Sequence, residues 1–126
     1  MSEKRCVNLP GSTPIAPYSP AVEAGGFVFV AGQVGFDPVK REYYGDTIEE
    51  QTRGALENLK FVLETAGSSM EKVVKTLIFL TDVNDFDKVN EIYAKYFDKN
   101  PPARSCVQVA DLPKGALMEI EAIALK

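Results

Sequence analysis

From Met118 to Ala124 the chain alternates two kinds of side chain. Met118, Ile120, Ala122 and Ala124 form one set, and Glu119 and Glu121 fall between them. A period of two is that of a β-strand, whose successive side chains point to opposite faces. The segment therefore calls for a sheet with one face under helices, while the opposite face carries two carboxylates. An all-helical fold is excluded, and the remaining elements have to supply both the sheet and its cover.

The cover is legible upstream. Thr47 followed by Glu50 is a capping-box pattern. After it Ile48, Ala55, Leu56, Leu59, Val62, Leu63 and Ala66 recur at helical spacing, and Gly67 can end the helix. Gly54 lies inside this helix at a cost of about 1 kcal/mol relative to alanine, which close packing against a sheet would explain. Asn84 or Asp85 can cap a second helix with the apolar stripe Phe86, Val89, Tyr93, Tyr96 and Phe97. Strands are expected at Ala21–Ala24 and Phe27–Ala31, joined by a Gly25-Gly26 turn, at Val73–Leu80, and at Arg104–Ala110 and Leu117–Leu125. Pro10 to Pro20 reads as a loop. The order β-β-β-α-β-α-β-β suggests an α+β domain, with two helices on one face of a mixed sheet. The other face is left for another subunit to cover.

The 126 residues suit a single domain spanning 1–126. No apolar run approaches a membrane span, and Met1 to Leu9 lacks the apolar stretch of a secretory signal, so a cytoplasmic protein is expected. The net charge of -4, with lysines and arginines scattered, argues against a nucleic-acid partner. Cys6 and Cys106 form neither a disulfide framework nor a zinc spacing. There is no histidine, which removes Ser-His and Cys-His nucleophiles and His-ligated metals. Catalysis has to rest on carboxylates, Tyr, Lys, Arg, Cys, backbone groups and water.

In the strand from Arg104, Val107 and Val109 fit the helix side. Arg104, Cys106 and Gln108 would then share a face with Glu119 and Glu121. Such a face is either simply wet, with Arg104 paired to a glutamate, or a polar cleft at a subunit boundary. In a cleft Arg104 can grip a carboxylate in a bidentate pair and a glutamate can hold or polarise water. If the last two strands form a symmetric hairpin, Glu121 lies nearer Arg104 than Glu119 does; which glutamate meets the arginine stays open.

Several separated motifs now agree in order and spacing. Ala16-Pro17-Tyr18-Ser19, Ala31-Gly32-Gln33, Asn84-Asp85-Phe86 with Val89-Asn90, Pro102-Ala103-Arg104-Ser105-Cys106-Val107, Leu112-Pro113-Lys114-Gly115 and Glu119-Ile120-Glu121-Ala122-Ile123-Ala124 resemble the RidA (YjgF) family over almost the whole chain. The resemblance implies a chorismate-mutase-like fold and a homotrimer with three clefts between subunits. It implies hydrolysis of 2-imino acids and enamines, such as 2-aminoacrylate, to 2-keto acids and ammonia, without a cofactor or metal. By position Arg104 matches the arginine that binds the substrate carboxylate and Glu119 the glutamate associated with the attacking water. Tyr18 matches a tyrosine lining the cleft, Asn90 a polar cleft residue, and Cys106 the cysteine beside the substrate. Ala31 and Gly32 are expected at the substrate as well, with Ala31 standing where many members carry a serine before the Gly-Gln pair. A lost hydroxyl removes one possible hydrogen bond. The plain alternatives are a packing role for Tyr18, an exposed helix position for Asn90 and a small buried hydrophobe for Cys106. A non-catalytic module binding 2-keto acids or amino acids is the rival function. A ribonuclease or translation inhibitor, as in older descriptions of the family, fits less well with the acidic balance and missing histidines.

Overall fold

The computed structural model describes residues 3–12 and 16–126. The helix over the sheet forms where its cap and stripe place it. Helix α1 runs Ile48–Thr65, with the Thr47 hydroxyl accepting from Glu50 N–H and the Glu50 carboxylate accepting in return from the Thr47 backbone. Gly67 then takes φ 84°, a left-handed conformation in which a side chain would be strained. Leu56, Leu59, Val62 and Leu63 are buried on one side of α1, each contributing about 1.5–3 kcal/mol of transfer free energy by full burial. The second helix, α2, spans Phe86–Tyr96 and buries Val89, Ile92 and Tyr93. A 3-10 turn at Val83–Asp85 leads into it, capped by the Asp82 carboxylate accepting from Asn84 N–H.

The strands are β1 (Arg5–Val7), β2 (Ala21–Ala24), β3 (Phe27–Gln33), β4 (Phe36–Asp37), β5 (Glu42–Tyr43), β6 (Val73–Leu80), β7 (Ala103–Gln108) and β8 (Met118–Leu125). Six of them make one sheet in the order β1-β2-β3-β8-β6-β7. Only β6 and β7 are parallel neighbours; every other pair is antiparallel. The sheet is therefore mixed, and with α1 and α2 it follows the order β-β-β-α-β-α-β-β. The short β4–β5 hairpin is an addition that no sequence signal announced. Its approach to α1 explains Gly54: a Cβ there would overlap the Tyr44 ring and sit 3.1 Å from the Gly35 Cα. The close packing is thus with the hairpin arm rather than with the large sheet.

Met118, Ile120, Ala122 and Ala124 are buried under the helices, as their alternation requires. Two expectations about β7 are overturned. It does not form a hairpin with β8, because β6 lies between them. Its faces are also reversed. Arg104 pairs with buried Thr76, and Cys106 pairs with buried Ile78, on the helix side. Gln108 accepts from Val83 N–H at the entry to α2, whereas Val107 is 44% exposed on the far face. Val109 lies beyond the end of the strand. The opposite face is correspondingly less polar than expected. Phe29, Leu77, Phe79, Val107 and Ile123 share it with Lys75, Ser105, Glu119 and Glu121.

An ionic clasp closes the far edge of the sheet. Glu23, almost buried, accepts from both Arg5 and Lys126, with Arg5 Nε at 2.9 Å and Lys126 Nζ at 2.9 Å. The Arg5 hydrogen bond first, then that of Lys126, pulls the Glu23 carboxyl from 4.5 down to about 2, against a smaller opposing effect of burial. A depressed folded pKa stabilises the fold above the unfolded value, and that stabilisation disappears as pH falls through the folded one. Glu23→Gln is therefore expected to lower the melting temperature at pH 7. Its difference from wild type should shrink as the pH is taken from 4.5 towards 2; a pH-independent difference would contradict the clasp.

Candidate active site

Two separate clusters hold the residues that chemistry singles out. The first surrounds Arg104 on the edge strand β7. Its guanidinium lies over two aromatic rings of α2, with Cζ 4.8 Å from the centroid of Tyr93 and 5.4 Å from that of Phe86. Residues 86 and 93 are seven apart, two turns of one helix, so both present to the same strand. Asn90 lies between them on that stripe. Among the described residues Arg104 has no carboxylate partner and no hydrogen bond, although it is half-buried. Stacking on ring faces leaves the in-plane N–H donors of a guanidinium unspent. Burial raises the Tyr93 phenol above its ordinary pKa, with the Thr76 hydrogen bond and Arg104 acting weakly the other way. The contact is thus between a cation and a neutral ring.

Cys106 belongs to the same strand face, packed against the core. Burial pushes its thiol pKa up, and Arg104 offsets this only in part. A neutral thiol is a poor nucleophile, which leaves its backbone as the group a ligand can use.

The second cluster surrounds Glu119. The β3–β8 ladder shifts register between Val30 and Gln33, and Ala31 and Gly32 occupy that irregularity. Bulges of this kind re-aim side chains beside functional sites. Gly32 abuts Glu119: a Cβ there would lie 2.5 Å from Oε2. Any side chain at 32 would push the carboxylate aside. Burial raises the Glu119 pKa, and the neighbouring Glu121 adds to the effect. Two side chains of α1 hold this corner from behind. Gln51 accepts from Leu117 N–H at 2.9 Å and donates to Gly45 O, while Asn58 donates to Val34 O and Phe36 O, both at 2.9 Å. Sequence reading missed Gln51 and Asn58, as it missed the ring seat of Phe86 and Tyr93. A buried amide at helical spacing with an apolar stripe was the available signal for Gln51.

The two clusters do not meet within one chain. Arg104 lies on the helix side of β7, Glu119 on the opposite side of β8, and β6 separates the strands. Glu121 shares the Glu119 face, so neither glutamate reaches Arg104. Tyr18 stands apart again, 55% exposed in the segment before β2, with its N–H bonded to Ala16 O. Among the described residues no three His, Cys, Asp or Glu side chains gather as metal ligands, and no helix is long and apolar enough to cross a membrane.

Residues 10–126 match the family model described as endoribonuclease L-PSP. The chain belongs to that family, the RidA (YjgF) family. It is 52% identical over 113 residues to a RutC family protein of Pyrococcus horikoshii, covering 90% of each chain. It is 45% identical over 112 residues to the human 2-iminobutanoate/2-iminopropanoate deaminase, covering 89% of this chain and 82% of that one. Among solved structures it is similar to Escherichia coli TdcF with bound serine, at a TM-score of 0.90 and 39% identity over 97% of this chain and 98% of that one. The fold is that of the RidA family.

The raised Glu119 carboxyl is directly observable. In an NMR pH series its side-chain carboxyl carbon is expected to titrate with a midpoint above 4.5, and Glu121→Gln is expected to move that midpoint down. A midpoint at or below 4.5 would contradict the burial described here.

Proposed function

We propose that this protein hydrolyses 2-imino acids and their enamine tautomers to 2-keto acids and ammonia, in clefts formed between the subunits of a homotrimer. The observation that carries the reading is the Arg104 guanidinium, half-buried on two rings with no anionic partner among the described residues. A cation kept in this way lacks its counter-charge, and a substrate carboxylate supplies it in a bidentate pair. The deaminase name of the human relative and the serine bound to TdcF, a ligand with the same α-carboxylate, support the substrate class.

With the carboxylate on Arg104, a water held by Glu119 adds through its oxygen to the C=N carbon. The imine nitrogen takes up protons as the carbinolamine forms. The C–N bond then breaks, the carbonyl forms and ammonia leaves. Positioning and one proton transfer are sufficient aids for an imine that water already attacks slowly. Glu119 accepts a proton only when ionised. Its raised pKa therefore places the acid limb of kcat/KM above 4.5, and Glu119→Gln should erase that limb.

The trimer supplies what one chain lacks. The exposed sheet face carries Phe29, 43% exposed, and Val107 on the same side as Glu119. Covering it with the β7 edge of a neighbour brings the Arg104 of one subunit towards the Glu119 of the next. A second reading, a metabolite-binding module without turnover, is favoured by Ala31, which offers no hydroxyl where many relatives have serine. An RNA-cleaving role has neither a basic track nor histidines to rest on, and a weak salt dependence of RNA binding is expected.

The test generates the imine in place with an amino-acid oxidase and traps the remainder with semicarbazide. Wild type should deplete the trapped imine, and Arg104→Ala should lower kcat/KM by roughly a hundredfold or more. Wild-type binding of pyruvate without imine depletion would favour the binding module. Mixing Arg104→Ala with Glu119→Gln subunits should restore about a quarter of the wild-type sites if each cleft draws on two chains of a closed ring. No recovery on mixing would place both residues' work within one subunit.

A further inference from the structure

The Thr76 hydroxyl is fully buried beside the Arg104 strand, and its oxygen lies 2.8 Å from the Tyr93 phenol oxygen. Thr76 is also the register partner of Arg104 across the β6–β7 ladder. One residue thus sits next to Arg104 along the sheet and, through its hydroxyl, fixes the ring on which the guanidinium lies. Tyr93 also packs against Phe97 at 4.6 Å between centroids. The ring is thus held by two contacts besides the one it makes with the cation.

We infer that Tyr93, tethered by Thr76, is a positioning residue that sets the plane of the Arg104 guanidinium and thereby the affinity for the substrate carboxylate. The inference rests on the reading of Arg104 as the carboxylate anchor, and adds the device that keeps this anchor oriented before substrate arrives. A carboxylate partner within the protein would hold the guanidinium by consuming its donors, whereas a ring face orients it and leaves the donors to the ligand. The hydroxyl pair limits pivoting of the ring, which would carry the cation with it. Tyr93 is buried and meets the guanidinium through its ring, so its influence is expected to fall on substrate binding rather than on the chemical step. Its hydroxyl and its ring also make separable contributions.

The experiment compares Tyr93→Leu, Tyr93→Phe and Thr76→Val in the intact protein, with Arg104 Nε–H observed by NMR in the absence of ligand and then titrated with pyruvate. Tyr93→Leu should raise KM by about tenfold while leaving kcat within about twofold, and it should mobilise the Arg104 Nε signal of the ligand-free protein. Tyr93→Phe keeps the ring and should raise KM by no more than about threefold. Thr76→Val, which leaves the phenol untethered, should resemble it. Unchanged Arg104 order and unchanged KM in Tyr93→Leu would overturn the inference. Losses in kcat and KM that track the melting temperature equally across all three variants would overturn it too, reducing Tyr93 to a core residue. If pyruvate fails to shift Arg104 in wild type while Tyr93→Leu still mobilises it, the positioning of the guanidinium stands and the carboxylate reading falls.

Discussion

The fold depends on the burial of one face of β8. This strand lies between β3 and β6, and its even-numbered residues from Met118 to Ala124 are covered by the apolar stripe of α1. Because side chains alternate along a strand, burying that set commits Glu119 and Glu121 to the opposite face. A slip of one residue would bury two carboxylates without partners, at several kcal/mol each. The register that builds the core is thus the register that delivers a carboxylate to the uncovered face. Gln51, bonded to the backbone just before β8, anchors the same strand at its start.

That arrangement leaves a single chain incomplete in two ways. A sheet face bearing Phe29, Leu77, Phe79, Val107 and Ile123 remains open, and an arginine without a counter-charge among the described residues stands on the opposite side at the edge strand. Apolar surface gains free energy when covered, at roughly 25 cal/mol per Å². A buried polar group gains when its donors are met. In the proposed trimer a closed ring of identical subunits would answer the first deficiency, and a carboxylate ligand in the cleft so formed would answer the second. On that proposal assembly and substrate recognition draw on different surfaces of one sheet, so that Arg104 and Glu119 could act on one molecule without touching within a subunit.

Much of this was legible in the chain. The α1 cap at Thr47 and Glu50, its stop at Gly67, the β6 segment and the faces of β8 follow from local rules, and the structure obeys them. The faces of β7 did not follow. Alternation assigns two sets of side chains but not which set goes inside. The usual guide, that valine is buried and arginine exposed, fails on an edge strand where α2 offers aromatic rings and the far face has no cover within the chain. The insertion of β6 between β7 and β8 was equally beyond local pattern, because adjacent strands in sequence can be parted by a third. Among the site residues, Gly32 beside Glu119 shows in the structure why that position bears no side chain. The ring seat of Arg104 was hidden because Phe86 and Tyr93 sat in a helical stripe that reads as ordinary core.

That camouflage has a physical basis. A guanidinium is weakly hydrated and flat, so a ring face can take it out of water at a cost that an ammonium would not tolerate. A lysine at 104 would keep the charge but lose both the stacking and the paired donors. An arginine seated on carboxylates would be better neutralised and worse at binding another anion. If Arg104 binds a carboxylate as proposed, the aromatic seat would meet two opposing demands, orienting a cation while neutralising it weakly. Residues that look like core are suited to this because a ring face attracts a cation without bringing an opposite charge.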